Sequence, residues 1–376
     1  MSVGQWRAKI NTLDLGLLRL LNQRTALALK VGESKKDAGV HLCDHTRERE
    51  VIERMCEANE GPLDDRAVVE LFRAIIHESR RIQTRATTES NAAETVPRLD
   101  RVRVAFQGAP GAFSEAAAVK LLGEQITLVD RPTFESLFAA ISDKSADYIL
   151  VPIENSIAGF VHPSFDQLLD SKLFVISEVI IPVSHCLIGR PGSSFEMIAA
   201  AESHPVALDQ CGRFLAANPQ IRRVAAEDTA GSVARIMAQG DLTRAAIAGR
   251  RAAEKYGGVI LREHLEDSSE NYTRFFLLSP GKDFAEAADQ LSLVIELPHQ
   301  PGALHSALEP FARRGIDLLK IEGRPVKGRP WEYCFFLDVR GSTSDAEVID
   351  TLNELKVGRV ETRILGEYRS AQVPAN

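Results

Sequence analysis

Apolar side chains in residues 5–42 recur at spacings of three and four: Ile10, Leu13, Leu17, Leu20 or Leu21, Leu27 and Val31. That period predicts one long amphipathic helix, weakened over its last turns by Gly32 and Gly39. A second helical pattern opens near Thr46, runs through Val51, Ile52 and Met55, and stops at Asn59-Glu60-Gly61-Pro62. A third follows Leu63 and carries Val68, Leu71, Phe72, Ile75, Ile76 and Ile82. Asp64 and Asp65 stand at its start, where negative charge complements the helix dipole. No strand is expected before residue 100. Three helices cannot bury so long a first helix by themselves, so the pattern predicts an intertwined dimer.

Residues 86–100 are small, polar and weakly patterned, and read as a linker. From Arg101 the period changes. Arg101–Phe106 alternates as a strand, the turn GAPG follows, and Ser114–Leu122 is helical. Tyr148–Val151, Phe174–Ile181 and Arg274–Leu278 are further short apolar strands with helices between them, the alternation of an α/β domain. A glycine- and alanine-rich stretch, 229–256, reads as helical and ends at Tyr256-Gly257-Gly258. After Pro280 the order is strand Leu291–Leu297, helix Pro301–Arg314 closed by Gly315, strands Ile316–Ile321 and Trp331–Val339, helix Asp345–Leu355 and strand Val360–Leu365. This βαββαβ order is ferredoxin-like.

A chain of 376 residues is long enough for two or three such domains. Composition is ordinary globular, with 44% hydrophobic and 26% charged residues. The formal net charge of −7 argues against a nucleic-acid binder but not against anionic substrates, for which a few local cations suffice. The five cysteines are scattered without a CxxC pair, so neither a disulfide framework nor a zinc site is suggested. The N-terminus lacks an apolar signal core and no run is long enough to span a bilayer, so a reduced cytoplasmic setting is expected.

Candidate chemistry begins on the helices. Arg24 and Lys35 are eleven residues apart, three turns, and share a face, whereas Arg7 lies on another. Arg47 and Glu48 open the second helix, and Ser79 and Gln83 share a face of the third. Singly, such residues are usually solvated surface. Together they resemble the all-helical class of chorismate mutase over nearly all of residues 5–85. The resemblance matches Arg7, Arg24, Lys35, Asp44, Arg47-Glu48, Ser79 and Gln83 to that family's site, and implies that Arg7 enters the partner subunit's site. It implies a mutase domain over residues 1–88. A pericyclic rearrangement needs no nucleophile or base. It needs two carboxylates clamped by arginines and donors on the breaking ether oxygen, the catalytic role that falls to Lys35 and Gln83.

Four motifs mark the central region: GAPGAFS (108–114), VPIENS (151–156), SHP (203–205) and NYTRFF (271–276). GAPGAFS lacks the GxGxxG spacing of a phosphate loop. VPIENS follows a strand, where α/β sheets bind ligands, and Ser203 stands beside a helix start that could seat a carboxylate. Taken singly each is ordinary turn chemistry. In this order, with Gln210-Cys211, they resemble prephenate dehydratase over roughly residues 102–280, a domain set at 101–280. The resemblance implies two α/β lobes around a cleft, similar to type 2 periplasmic binding proteins. It gives Thr273 the role of acid toward the departing hydroxyl. Glu154, Asn155, Ser203, Gln210 and Glu227 would orient the substrate, and Arg274 either joins them or serves as a structural ion-pair residue.

The C-terminal pattern, over residues 288–370, looks like an ACT domain, which binds amino acids at subunit interfaces. Gly302, Ala303 and Leu304, with Glu322, Arg324 and Pro325, match its effector motifs. His305, Asp317 and Gly323 depart from the family's usual residues and bear on the strength of inhibition. The reading as a whole is a bifunctional enzyme acting on chorismate and prephenate, inhibited by phenylalanine, and a homodimer or higher homo-oligomer. It needs no metal or organic cofactor and no nucleic-acid or membrane partner. The alternatives are a dehydratase that accepts arogenate and a non-catalytic two-lobed sensor.

Overall fold

The structure is a computed structural model. It describes residues 3–37, 45–65, 67–69, 71, 72, 75, 76, 79, 102–282, 288–326, 328, 329 and 331–374. The chain divides into two compact units, Met1–Thr95 and Val96–Asn376.

The first unit is helical where described. Helix α1 spans Val3–Asp37 and α2 spans His45–Glu57; the described residues from 65 to 79 are helical too. The expected end of α1 at residue 42 and the linker 86–100 lie outside the described residues. Between α2 and the third helix, Gly61 takes a positive φ of 79°, and Asp64 Oδ1 accepts from the Ala67 amide at 2.7 Å. The aspartate therefore satisfies one of the helix's free N–H groups. Leucines of the apolar stripe of α1 are exposed among the described residues: Leu13, Leu20 and Leu27 are 72%, 64% and 63% exposed. Burying one leucine side chain is worth about 1.5–3 kcal/mol.

The second unit begins with β1 (Arg103–Gln107), α3 (Phe113–Leu122), β2 (Thr127–Arg131), α4 (Phe134–Ser142), β3 (Tyr148–Asn155), β4 (Gly159–Phe160), α5 (His162–Asp170) and β5 (Phe174–Pro182). The chain then crosses to a second lobe. There it forms β6 (Cys186–Gly189), β7 (Ala200–Ser203), α6 (Pro205–Gln210), α7 (Gly212–Ala217), β8 (Arg222–Ala225), α8 (Thr229–Gln239), β9 (Arg244–Ala248), α9 (Arg250–Tyr256) and β10 (Val259–Arg262). It returns as β11 (Tyr272–Ser279). The five strands of the second lobe are ordered β10-β6-β9-β7-β8.

The expected helical stretch 229–256 is thus two helices with a strand between them. Gly240, at φ 84°, ends α8 in the left-handed conformation. Ala245, Ala246, Ile247 and Ala248 then form the central strand of the lobe, fully buried. A strand covered on both faces shows no alternation, and its alanines imitate helix composition.

The C-terminal module follows as β12 (Gln290–Glu296), α10 (Ala303–Arg313), β13 (Leu318–Pro325), β14 (Tyr333–Arg340), α11 (Ala346–Val357) and β15 (Glu361–Tyr368), the expected ferredoxin-like order. Pro301 precedes the first of these helices, and Gly302, at φ 81°, caps it. The module does not stand apart. Its strands continue the first lobe's sheet in the order β13-β14-β12-β15-β5-β11-β3-β1-β2, a ten-stranded sheet that also includes β4. The joint is one parallel register pair, Gly366 against Val175. A Cβ on Gly366 would lie 2.0 Å from the Val175 carbonyl oxygen, so only glycine permits the joint. Ile149, Val151, Ile153 and Phe276 of the lobe share one core with Val294, Phe336, Leu365 and Tyr368 of the module.

Candidate active site

The helical unit brings two expected residues together. Arg24 donates through Nη1 to Ser79 Oγ at 2.5 Å across 55 positions, and Ser79 is buried. Arg7 is exposed. The side chains of Lys35, Asp44, Arg47, Glu48 and Gln83 lie outside what is described.

In the second unit the site is built where β3 and β11 end beside the crossings between lobes. These strands are antiparallel neighbours, with Asn155 opposite Thr273 and Glu154 opposite Arg274. Asn155 Nδ2 donates to Thr273 Oγ1 at 3.0 Å, to Asn271 Oδ1 at 2.8 Å and to the Tyr272 carbonyl at 3.0 Å. Its Oδ1 accepts the amides of Ile157 at 3.0 Å and Ala158 at 2.8 Å. Gln210, at the end of α6 in the other lobe, donates to Asn155 Oδ1 at 3.2 Å and accepts from Asn271 Nδ2 at 3.1 Å. Three expected motifs therefore meet in one amide network that spans the two lobes. Thr273 Oγ1 is an acceptor within it, and no hydrogen bond among the described residues takes up its own proton.

His185 completes the network, and the sequence reading passed over it. It lies in the crossing from β5 to β6, is 2% exposed, and its Nε2 is 3.0 Å from Gln210 Oε1. Because Gln210 Oε1 already accepts from Asn271, Nε2 carries the proton and donates. Burial pushes the His185 pKa down, opposed by the Gln210 hydrogen bond and the nearby Glu266 carboxylate. The ring meets Phe113 edge-on at 5.5 Å. Its only sequence signal is a place beside an apolar strand that leads out of the first lobe.

Other expected residues are placed differently. Glu154 and Asn155 are consecutive in a strand and so face opposite sides. Asn155 faces Thr273, while Glu154 is turned with Arg274 toward the C-terminal module and pairs with Lys320 of β13. Ser203 is fully buried, and its Oγ donates to the Ile247 carbonyl at 2.6 Å rather than offering its proton to a ligand. Glu227 is exposed after β8.

Arg274, left open in the sequence between substrate binding and a structural ion pair, makes buried ion pairs. Its side chain is 13% exposed; Nε meets Glu178 at 2.6 Å, Nη1 meets Asp338 at 2.5 Å and Nη2 donates to Tyr368 Oη at 3.0 Å. Burial works against its charge, yet Tyr368, Asp338 and Glu178 hold its pKa above the ordinary value. Ser292 bonds both Asp338 and Tyr368. Arg274 thus locks β11 to β5 on one side and to β14 and β15 on the other.

GAPGAFS proves to be an interlobe contact. Glu115 accepts the Gly111 amide at 2.7 Å and pairs with Arg251 of α9 at 2.8 Å. Gly111, at φ 88°, lies so close to Ala252 that a Cβ would fall 2.8 Å from its Cα. In the C-terminal module, Arg324 is turned toward the first lobe. It makes a two-pronged contact with Asp166 of α5 at 2.8 and 3.0 Å. Gly302, Ala303 and Leu304 form the turn into α10, and Glu322 and Pro325 lie on β13 with Arg324.

The fold defines a class of protein: a helical unit ahead of a two-lobed α/β unit whose sheet runs on into a ferredoxin-like module. Residues 6–84 match chorismate mutase type II, residues 104–283 match prephenate dehydratase and residues 291–357 match the ACT domain. The chain is 34% identical over 366 residues to a bifunctional chorismate mutase/prephenate dehydratase of Neisseria gonorrhoeae, covering 97% of this chain and 96% of that one. It is 39% identical over 284 residues to arogenate dehydratase/prephenate dehydratase 1, chloroplastic, of Arabidopsis thaliana, covering 71% of this chain and 72% of that one. The crystal structure of prephenate dehydratase in complex with L-Phe from Arthrobacter aurescens superposes with a TM-score of 0.67 at 31% identity, covering 73% of this chain and 92% of that one. The chain belongs to the bifunctional chorismate mutase/prephenate dehydratase family.

Proposed function

We propose that this protein rearranges chorismate to prephenate in its helical unit, converts prephenate to phenylpyruvate between the two lobes, and is inhibited by phenylalanine at its ACT module. The observation that carries the reading is the interlobe amide network, which presents the Thr273 hydroxyl with its proton free. In the dehydratase step the ring C–O bond breaks and the departing hydroxide takes the Thr273 proton to become water. The ring carboxylate leaves as carbon dioxide, and its bonding pair completes the aromatic ring. Asn155 Nδ2, 3.0 Å from Thr273 Oγ1, stabilises the negative charge that develops on that oxygen. Asn155 and Gln210 orient the substrate. Glu154 acts from the opposite face of β3, and Ser203 and Glu227 stand at the ends of second-lobe strands. Among the described residues no helix is long and apolar enough to cross a membrane.

In the mutase, Arg24 and Ser79 already meet, and Lys35 and Gln83 are the proposed donors to the ether oxygen. The mutase domain is set at 1–88, the dehydratase at 101–280 and the ACT module at 288–370. The exposed leucines of α1 support a homodimer in which a second copy covers them. The relative named for arogenate raises that substrate as well, but an attached mutase supplies prephenate. The test is to give the purified chain chorismate and follow chorismate loss and phenylpyruvate absorbance, with and without phenylalanine. Chorismate consumption without phenylpyruvate would refute the dehydratase assignment, and unconsumed chorismate would refute the mutase.

A further inference from the structure

Strand β13 alternates along its whole length. Leu318, Lys320, Glu322 and Arg324 are half-buried, while Leu319, Ile321, Gly323 and Pro325 are exposed. Two cations of the inner row grip the dehydratase lobe. Lys320 Nζ pairs with Glu154 Oε1 and sits 4.7 Å from the centre of the Phe160 ring. Arg324 holds Asp166 and reaches His162 Nδ1 at 2.9 Å. Both groups of the first pair are largely covered, with side-chain exposures of 15% for Lys320 and 33% for Glu154.

Glu154 is the last residue before Asn155, the centre of the catalytic network. A register shift in the β3–β11 pairing, between Arg274 and Phe275, falls at this point. Such a bulge interrupts the ladder locally; Glu154 and Asn155 keep their pairs with β11 and with Phe160 and Gly159 of β4, and side-chain contacts add to that hold. Lys320 supplies one contact to Glu154, and Arg274 Nη1 lies 4.0 Å from the same carboxylate. One ion pair, one peptide bond and one hydrogen bond therefore link the inner face of β13 to the Thr273 hydroxyl.

We propose that Lys320 is a positioning residue for the dehydratase reaction: its ion pair with Glu154 fixes the end of β3, and through Asn155 and Thr273 it carries the effector state of the ACT module to the site. This rests on the reading that phenylalanine acts at that module. A strand is a stiff element, so a ligand bearing on β13 at Glu322, one of the matched effector residues, displaces Lys320 two residues away on the same row. Coupling between two sites is reciprocal and typically amounts to 5–150-fold.

The test uses the full chain with Lys320→Met, which keeps the stem over Phe160 but removes the charge, and Lys320→Arg, which keeps the charge. Lys320→Gln is a second neutral variant should the methionine fail to fold. Dehydratase kcat and KM are measured across a phenylalanine titration, and phenylalanine binding is measured by calorimetry with and without saturating phenylpyruvate. In the wild type, phenylalanine should depress kcat/KM, and phenylpyruvate should weaken phenylalanine binding, each by at least about fivefold. In the folded neutral variant both effects should shrink below about twofold while phenylalanine still binds, and Lys320→Arg should restore them. A neutral variant that retains wild-type inhibition, or loses it only because phenylalanine no longer binds, overturns the proposal. A wild type indifferent to phenylalanine refutes the ACT reading instead.

Discussion

Replacing Thr273 by valine keeps the side chain's shape and removes its hydroxyl. The structure lets the cost to stability and the cost to catalysis be separated. Asn155 Nδ2 loses one acceptor but keeps Asn271 Oδ1 at 2.8 Å and the Tyr272 carbonyl at 3.0 Å. No buried donor is stranded, so the fold should lose about 1 kcal/mol, the ordinary net value of one hydrogen bond. Loss of a catalytic acid should instead lower turnover by about 10²–10⁴-fold, which is roughly 2.7–5.4 kcal/mol on the barrier. The loss should fall on kcat more than on KM, because the proton moves only in the transition state. Thr273→Ser should keep most of the activity. Steady-state conversion of prephenate, with a melting curve run beside it, reads both quantities. A well-folded Thr273→Val enzyme with near-normal kcat would refute the assignment of the proton to this residue. A fall in stability of several kcal/mol with unchanged turnover would make Thr273 a scaffold residue instead.

Three further outcomes are expected. Arg274→Met leaves Glu178 and Asp338 buried without their counter-charge, which should cost about 3–5 kcal/mol; chemical denaturation should show it in the Val96–Asn376 unit, and a loss below about 1 kcal/mol would contradict the reading. Burial depresses the pKa of His185, so below the ordinary imidazole value of about 6.5 the unfolded chain binds a proton that the folded one refuses. Stability from this group is therefore complete above that value and is lost as pH falls through it, by at most about 1.4 kcal/mol per pH unit; His185→Gln should flatten the slope of urea stability between pH about 7.5 and about 5.5, and an unchanged slope would contradict this account. Gln83→Ala should depress chorismate rearrangement by removing a donor to the ether oxygen and leave prephenate turnover intact; a parallel loss of both activities in folded protein would show that the domain boundary is misplaced.

Much of the site was legible from residue types at fixed spacings, because a turn or strand end imposes its chemistry locally. VPIENS and NYTRFF both lie at the ends of strands, as their apolar flanks indicate, and Asn155, Thr273 and Gln210 do meet. Arg24 and Ser79 meet as well, from separate helices. His185 was not legible, because a histidine in an apolar crossing segment looks like any buried histidine until Gln210 is brought 3.0 Å from its ring. The direction of Glu154 was hidden too. A register shift of one residue decides which face a strand side chain takes, and the shift near Glu154 arises in its pairing with β11.

The sequence by itself determined the helical unit, the alternating α/β region and the βαββαβ module, since each rests on a short-range hydrophobic period. It determined the family as well, through motifs that occur in a fixed order. Tertiary structure alone decided that β9 is a strand, because its alanines are buried on both faces. It also joined the catalytic and regulatory modules through Gly366 against Val175. And it made Arg274 a structural clamp, because the carboxylates that hold the guanidinium come from positions 178 and 338 and meet only when three strands of one sheet are assembled.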